Sequence, residues 1–573
     1  MAELTSKPTR DQARETGLTV ETVGLLVGRG LLAVALVMMV FYLVVYVAFA
    51  ANLIQFPYDY DQGEGFELVD VMMFSEGQFP YADIETYPFY GSIYPPLYHV
   101  LLVPFAWIFG PEYWYGRLFS FISTLVTAGG IAYVVQREGR RHLREDDDKN
   151  RWQTWLIAGI AGLAWLASPI VYHIGPLFRQ HISMVMFEIL ALIVLVRGLE
   201  IDDTSKRRRR LLLGFTLLIA AGYTKQLAAF TAIAALVYLF IRGPRRAIIW
   251  GMGFALVGGA IFLGLIVATD GHWWTQTITA NVKDFSLDQA RGLFDVFIDL
   301  HFWLLIPAGL FILYEVYFDR ISVYSIWFVA VTGLNAYAAG TWGAGDSYYA
   351  TPIAAACVLA GIVMVRTFNG GWRFNQNIYS RVLIDPLRRA APIVRATAMI
   401  VLPVLLILYG RTVVHMPTSI APFDTVADVF GIEDNTGYNF HDPNGYVTYA
   451  YAQIGHFTTQ ADIAAGDEIV ALMNAIPADV PVLSEEAGFS FGADREVITN
   501  PVVLMILWEA GAFDSTELVN MLNAQEFGMV VLRAQFYPQD VNRAITVNYE
   551  ETQRIRMNGF DYIIKYPRAE PLE

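Results

Sequence analysis

The stretch of sequence that decides the fold is FPYDYDQGEGFELVDVMMFSEGQFPYADIETYPFYGSIYPPLYHVLLVPFAWIFG, residues 56–110, which follows the first long apolar run of the chain. Its first acidic residues, five within twelve positions, are Asp59, Asp61, Glu64, Glu67 and Asp70. A charge placed in hydrocarbon costs roughly 2.5 to 3.5 kcal/mol on insertion scales. We therefore expect these carboxylates to lie in a hydrated cavity at a membrane surface, and we interpret that cavity as an active site.

Composition identifies a membrane protein with several spans. The chain has 573 residues, 55% of them hydrophobic, and a mean hydropathy of +0.42. Because a spanning helix needs roughly 20 apolar residues, we predict about eleven spans, at 31–52, 113–135, 153–168, 182–197, 211–223, 227–241, 247–268, 301–318, 322–340, 348–365 and 393–411. The apolar run at 94–110 is short and interrupted by Pro95, Pro96 and Pro104, so we predict a helix on the outer surface there.

Charge sets the predicted orientation. Arginine-rich segments such as SKRRRR at 205–210 fall in alternate loops, and loops rich in Lys and Arg face the cytoplasm. The N-terminal segment 1–30 joins them on the cytoplasmic side of a cell (inner or plasma) membrane, and its long apolar continuation favours a retained anchor. The acidic loop and the C-terminal part are then outside. The single cysteine, Cys357, excludes an internal disulfide.

The C-terminal part, residues 413–573, is acidic, with 23 Asp and Glu against 7 Lys and Arg. This balance disfavours nucleic acid as a partner. Alternating patterns predict an α/β domain: a helix in GDEIVALMNAI, a strand in PVLSEEAG, a strand or helix in PVVLMIL, a helix opening at Ser515 with a polar cap, and strands in GMVVLRAQ and DYIIKYP, after a loop at 434–446. We interpret the domain as a lid or an acceptor-binding platform.

The polar residues that this topology places outside are carboxylates, cations and aromatics. Arg and Lys can hold a lipid-linked phosphate while a carboxylate accepts a proton from an acceptor. Displacing a polyprenyl phosphate from a sugar needs little acid assistance, because phosphate is already a good leaving group. A glycoside hydrolase would need an acid and a second carboxylate. The pattern therefore favours sugar transfer.

Several motifs, in this order, resemble the multi-spanning glycosyltransferases with the C-type (GT-C) fold. They are DQGEGFELVDVMMFSEGQFPYAD from Asp61, YPPLY from Tyr94, GRLFS from Gly116, GYTKQLAAF from Gly222 and GDSYYATP from Gly345. The resemblance covers about residues 20–412 and includes the glycosyltransferase family 39-like proteins, the protein O-mannosyltransferases and the aminoarabinose transferases. It implies an α-helical polytopic module over 31–412, with its catalytic first external loop at 53–112.

In that superfamily an Asp-Glu pair in the first external loop carries the base, and here Gly63 and Glu64 stand in its place. We therefore rank Glu64 first as general base, with Asp61 second. His181 occupies the position of a further family Asp. The residues expected to hold donor phosphate are Lys225, Arg117 and Arg179, although Arg117 at a membrane boundary equally suits an arginine that reaches to lipid headgroups. The expected substrate contacts are Asp59, Tyr94, Tyr98, His181, Gln226, Tyr348 and Tyr349.

The sequence thus predicts an integral membrane glycosyltransferase that moves a sugar, with inversion, from a polyprenyl-phosphate donor to a protein, lipid or glycan acceptor on the outer face. No residue is assigned as a metal ligand, and a role for a divalent metal is left open. Two alternatives remain: a transporter that moves a lipid-linked sugar between leaflets, and a non-catalytic scaffold that presents the external domain to a partner.

Overall fold

Long apolar helices make up most of residues 20–412, as the hydrophobic runs of the sequence predict. The computed structural model describes residues 19–141, 148–414, 416, 421–431 and 457–571. The predicted loop at 434–446 and most of the N-terminal segment lie outside the described residues.

The helices of the membrane module pack around a central helix. Their bounds are α1 (Val20–Ile54), α2 (Glu64–Ser75), α3 (Leu97–Phe109), α4 (Tyr113–Arg140), α5 (Asp148–Ala167), α6 (Pro169–Ile174), α7 (His181–Leu199), α8 (Thr204–Thr224), α9 (Ala229–Arg242), α10 (Pro244–Ala268), α11 (His272–Thr277), α12 (Leu287–Phe318), α13 (Val323–Ala338), α14 (Ala350–Asn369) and α15 (Ala391–Thr412). The α14 helix is buried along almost its whole length, since its small residues allow neighbouring helices to approach closely. In contrast, α10 lies at the rim with nearly all of its apolar side chains exposed.

Each of the eleven predicted spans coincides with a helix. By length and composition, seven helices in the described part of the chain can cross a membrane: α1, α4, α7, α10, α12, and the helical segments that contain α14 and α15. The apolar helices α3, α9 and α13 are shorter. The multi-spanning helical class is confirmed, and the number of spans stays a prediction.

The basic loops gather at one end of the bundle, where they form ion pairs between helices. Arg137 and Arg141 both pair with Glu200, and Arg366 pairs with Glu138 and, at 3.4 Å, with Asp319. The acidic loop and the C-terminal domain lie at the other end. The two ends therefore separate as the charge pattern predicts, and which end faces the cytoplasm stays a prediction.

The segment predicted as a surface helix forms α3, which begins after Pro96 and ends at Gly110. It packs on α2 and leaves Trp107 69% exposed and Ile108 73% exposed, as expected for an amphipathic helix at a membrane surface. The predicted helix is therefore present, and its place on the membrane surface stays a prediction.

The C-terminal domain is an α/β domain, as the alternating pattern predicts; its sheet has four strands, of which the pattern predicts three and misses the one at Tyr549–Met557. Its elements are α16 (Phe423–Phe430), α17 (Gln460–Asn474), β1 (Val482–Ser484), α18 (Ala487–Gly492), α19 (Pro501–Glu509), α20 (Thr516–Asn523), β2 (Met529–Leu532), α21 (Gln539–Asn548), β3 (Tyr549–Met557) and β4 (Phe560–Pro567). The strand order is β1-β2-β4-β3, with β1 parallel to β2 and the other pairs antiparallel.

The structure decides two local predictions for this domain, one for the PVVLMIL segment and one for the start of α20. The PVVLMIL segment, which the pattern left between strand and helix, forms α19, because Pro501 at its first position favours a helix start. The α20 helix follows Ser515, but the expected cap is wrong: the Ser515 hydroxyl bonds to Asp540, and Asp514 accepts the Thr516 N–H at 2.9 Å.

The C-terminal domain docks on the acidic loop. Asn558 donates its side-chain amide to the Tyr60 carbonyl at 3.1 Å, and Asn500 donates to the Gly91 carbonyl at 3.1 Å. A β-bridge pairs Phe89 with Thr499. These contacts close a cavity between the bundle and the domain.

Candidate active site

A cavity of about 910 Å³ lies where the end of the bundle opposite the basic loops meets the C-terminal domain. Its polar walls come from the acidic loop, the loop before α7, the α8 to α9 junction and the segments before α12 and α14. The C-terminal domain contributes a mostly apolar wall. The ionisable side chains that line the cavity are Asp61, Glu67, Asp70, His173, Arg179, His181, Lys225, Lys283 and Asp346.

The α2 helix begins with a glycine that the local geometry requires. Gly63 precedes the helix with a φ of +94°, a conformation that favours glycine. A Cβ at this position would lie 2.9 Å from the Arg179 guanidinium. The chain can therefore bring this guanidinium against the loop that carries Asp61.

Asp61 is a buried carboxylate with one oxygen engaged and one free. Arg179 donates to Asp61 Oδ2 from Nε at 3.1 Å and from an Nη at 2.8 Å, and it also bonds to the Gln62 carbonyl. Among the described residues, no group hydrogen-bonds to Asp61 Oδ1. Burial raises the pKa of Asp61 to about 6, while Arg179 opposes that rise. Asp61 is thus mostly ionised at neutral pH, and its unbonded oxygen Oδ1 is a buried acceptor.

Glu64, which the sequence ranks first as the base, lies behind this cavity wall. It is fully buried and binds Arg117 through two bonds, to Nε at 3.0 Å and to an Nη at 2.9 Å. Its oxygens also accept the backbone N–H groups of Tyr60, Asp61 and Phe178, at 3.0, 3.2 and 2.6 Å. These bonds hold its pKa below the ordinary value, against the effect of burial. Glu64 thus holds the loop together and does not line the cavity, whereas Asp61 does; which of the two is the base stays a prediction.

The position of Arg117 also differs from the one expected for a residue that binds donor phosphate. Its guanidinium is fully buried and also donates to the Leu53, Phe56 and Tyr58 carbonyls, at 2.8, 2.5 and 2.7 Å. An arginine whose donors are used by Glu64 and by the end of α1 cannot also hold a phosphate in the cavity. Arg117 does not line the cavity and, because it is fully buried, it does not reach to headgroups.

Three of the expected substrate contacts also lie outside the cavity lining. Asp59 accepts from the Tyr113 hydroxyl at 2.7 Å and from the Gly65 and Gly488 N–H groups at 2.6 and 2.9 Å, so it links the loop to the C-terminal domain. Tyr98 is buried, with its hydroxyl 3.0 Å from the hydroxyl of Ser120. Tyr349 is buried and stacks on Phe297, with ring centroids 4.7 Å apart. A Cβ at Gly65 would lie 2.7 Å from Asp59 Oδ1 and 2.8 Å from the Ala487 Cβ, so this side of the loop is closely packed.

Lys225 meets the expectation for a cation that faces the cavity. It lies 2.5 Å from His181 Nε2, and its ammonium is 5.0 Å from the Tyr94 ring centre and 5.7 Å from that of Tyr348. Burial lowers its pKa to about 7. Gln226 follows it and lines the same cavity. The structure therefore brings together Lys225 and four of the predicted substrate contacts.

Sequence reasoning missed a second lysine, Lys283, in the segment before α12. Its ammonium lies 5.6 Å from the Trp342 ring centre, and burial lowers its pKa to about 8. Within the described ranges no carboxylate lies within 4 Å of Lys225 or Lys283. A buried and a half-buried ammonium group that face one cavity, with no ion-pair partner among the described residues, are suited to a phosphate ligand.

Glu67 and Asp70, which also line the cavity, share a buried histidine. Glu67 is 2.6 Å from His99 Nε2 and 3.5 Å from Arg179, and Asp70 is 3.6 Å from His99 and accepts from the Tyr90 hydroxyl at 2.9 Å. Burial raises the pKa of Asp70 to about 7. Both carboxylates belong to the acidic cluster seen in the sequence, but His99, which lies beside both of them, comes from α3.

In the part of the chain that the structure describes, no group of three His, Cys, Asp or Glu side chains is arranged to hold a metal ion.

Comparison with known proteins identifies a related family and a related fold. Residues 150–273 match the family model described as dolichyl-phosphate-mannose-protein mannosyltransferase, and this segment carries Arg179, His181 and Lys225. No curated protein matches the chain by sequence.

Among solved structures, ArnT from Cupriavidus metallidurans in the apo state has a TM-score of 0.53 with 14% identity, covering 91% of this chain and 97% of that one. The same protein bound to undecaprenyl phosphate has a TM-score of 0.52 with 15% identity, covering 91% and 98%. The apo oligosaccharyltransferase from Archaeoglobus fulgidus has a TM-score of 0.45 with 13% identity, covering 91% and 73%.

The ArnT likeness extends over nearly the whole of both chains and confirms the C-type fold. With the family match, it supports the resemblance noted in the sequence: the chain has the fold of the C-type membrane glycosyltransferases, and residues 150–273 are similar to the dolichyl-phosphate-mannose-protein mannosyltransferases.

Proposed function

We propose that the protein transfers a sugar from a polyprenyl-phosphate donor to an acceptor hydroxyl at the outer face of the membrane, with Asp61 as general base. The observation that carries the proposal is the charge arrangement of one cavity. Asp61, a carboxylate with one oxygen bound by Arg179, shares that cavity with the buried Lys225 and the half-buried Lys283, and neither ammonium has a carboxylate within 4 Å in the described residues.

The chemistry follows from that arrangement. The acceptor oxygen attacks the anomeric carbon, its proton passes to Asp61 Oδ1, and the bond from the carbon to the phosphate oxygen breaks with its electron pair on the phosphate. Attack from the face opposite the phosphate inverts the configuration. The leaving phosphate changes from a monoanion to a dianion, and the two lysines stabilise the added charge. Arg179 keeps Asp61 oriented and ionised.

Binding of undecaprenyl phosphate tests the phosphate site. Purified protein in lipid nanodiscs is titrated with this lipid, and Lys225→Met and Lys283→Met are compared with Lys206→Met, which removes an exposed lysine at the opposite end. A hydrogen bond to a charged group contributes about 1.5 to 3 kcal/mol, so each cavity variant should weaken binding roughly 10- to 100-fold. Lys206→Met should leave it unchanged.

Transfer is tested with radiolabelled undecaprenyl-phosphate hexoses and pentoses and with membranes as the source of acceptor. We expect one donor class to lose its sugar to the acceptor, with release of undecaprenyl phosphate. A lipid that changes leaflet with its sugar still attached would instead identify a transporter. Wild-type affinity in both lysine variants would refute the phosphate site.

A further inference from the structure

We propose that Phe536 of the C-terminal domain contacts the acceptor and that Glu485 is a positioning residue, which holds the Phe536 backbone beside the base. The inference rests on the proposed sugar transfer and adds a specific role for the external domain. It assigns to that domain the acceptor side of the reaction.

Glu485 organises the loop of residues 533–536. It follows β1, is 1% exposed, and its carboxylate accepts the backbone N–H groups of Arg533, Gln535 and Phe536, at 2.6, 2.9 and 2.7 Å. A carboxylate that accepts three backbone donors within four residues of a loop fixes the path of the chain. The loop needs such support, because Gln535 has a φ of +60°, which costs energy for any residue other than glycine.

The same carboxylate reaches the catalytic loop. Glu485 Oε1 accepts the Phe536 N–H and also lies 3.4 Å from the side-chain amide nitrogen of Gln62. Gln62 directly follows Asp61, and its carbonyl accepts a bond from Arg179. One oxygen atom thus joins the backbone of Phe536 to the residue next to the base.

Phe536 itself is half-buried and lines the cavity. Val502, Val503 and Ile506 of α19 belong to the same wall, which faces the cations and carboxylates of the bundle. Since the polar walls hold the phosphate and the base, the apolar wall is left for the acceptor. It suits an acceptor whose hydroxyl lies next to a nonpolar surface, which an aromatic ring can pack against.

Acceptor kinetics test this assignment. The labelled donor that the wild type uses is held at saturation, and membranes from cells that lack the protein are titrated as the acceptor. Phe536→Ala should raise the acceptor KM by about tenfold or more, whereas Phe536→Tyr, which keeps the ring, should restore it. Trp508→Ala is the matched control, since Trp508 is a partly buried aromatic of α19 that does not line the cavity.

Glu485→Gln keeps the size of the side chain but cannot accept all of these bonds. It should raise the acceptor KM in the same direction and speed amide hydrogen exchange at residues 533–536, while the exposed Glu517→Gln changes neither. Undecaprenyl phosphate should bind both Glu485→Gln and Phe536→Ala with wild-type affinity. That measurement separates the acceptor role from loss of the fold and from damage to the phosphate site.

The outcomes distinguish the two proposals. An active enzyme in which Phe536→Ala and Glu485→Gln keep the wild-type acceptor KM would overturn this inference and leave sugar transfer intact. A wild-type protein that moves no sugar from any donor would remove both.

Discussion

Replacing Asp61 by Asn is the most direct test of the mechanism, because the structure gives the substitution a defined consequence. Arg179 occupies Oδ2 with two N–H donors, and Oδ1 has no partner in the described residues. The Asn oxygen can keep the Arg179 bonds, so the Asn NH₂ group takes the place of Oδ1. An N–H group then faces the hydroxyl of the acceptor substrate. The reaction instead needs a group there that takes up the hydroxyl proton.

Loss of a general base typically lowers the rate 10²- to 10⁴-fold. At 1.36 kcal/mol per factor of ten, this raises the barrier by roughly 2.7 to 5.5 kcal/mol. The assay is release of undecaprenyl phosphate from labelled donor by purified Asp61→Asn protein. Its affinity for undecaprenyl phosphate and its melting temperature should stay close to the wild-type values, since the Asn neither removes a lysine nor leaves Arg179 without a partner.

Glu64→Gln provides the contrast. It weakens the buried pair with Arg117, and breaking such a pair costs roughly 3 to 5 kcal/mol. We therefore expect lower stability, with turnover per folded molecule largely retained. A folded Glu64→Gln protein that binds lipid but does not turn over, alongside an Asp61→Asn protein at the wild-type rate, would refute this choice of base.

Three further outcomes are expected. Since Asp61 must be ionised and Lys225 protonated, kcat/KM should fall below about pH 6 and above about pH 7 to 8. Lys225→Arg should move only the alkaline limb of this profile to higher pH. A flat profile from pH 5 to 9 would contradict the assigned pair. Arg117→Ala should lower the melting temperature sharply. Arg117→Lys should recover only part of that loss, because Lys cannot form the paired bonds to Glu64. A wild-type melting curve for Arg117→Ala would show that the buried pair is dispensable. A cysteine at Glu517 should react with an impermeant thiol reagent in intact cells and one at Ser205 should not, and the reverse result would invert the topology.

The helical module could be predicted from the sequence because its signals are local. Twenty apolar residues identify a helix wherever it packs, and prolines in the 94–110 segment separate the surface helix α3 from the spans. The ambiguity at PVVLMIL had a local cause as well, since a short apolar run fits a buried strand and a buried helix equally. Pro501 was the one signal that favoured the helix.

The roles of the carboxylates could not be predicted, because they depend on partners far along the chain. Glu64 and Asp61 are three residues apart and look alike in the sequence. Arg117 lies 53 residues from Glu64, and Arg179 lies 118 residues from Asp61. Lys283 carries no signal at all, since a single lysine in a polar loop is ordinarily exposed. Its significance appears only when the fold places it beside Trp342 and opposite Lys225.

The two arginine pairs explain why one cluster of acids can serve both structure and chemistry. Arg117 is fully buried and uses both oxygens of Glu64, which the loop backbone also binds, so that carboxylate is fixed and inaccessible. Arg179 reaches only one oxygen of Asp61 and is itself partly exposed to the cavity, at 14%. A carboxylate bound at one oxygen is held in place and kept ionised, yet it can still accept a proton. The number of carboxylate oxygens that each arginine binds therefore distinguishes Glu64, which stabilises the loop, from Asp61, which we propose as the general base.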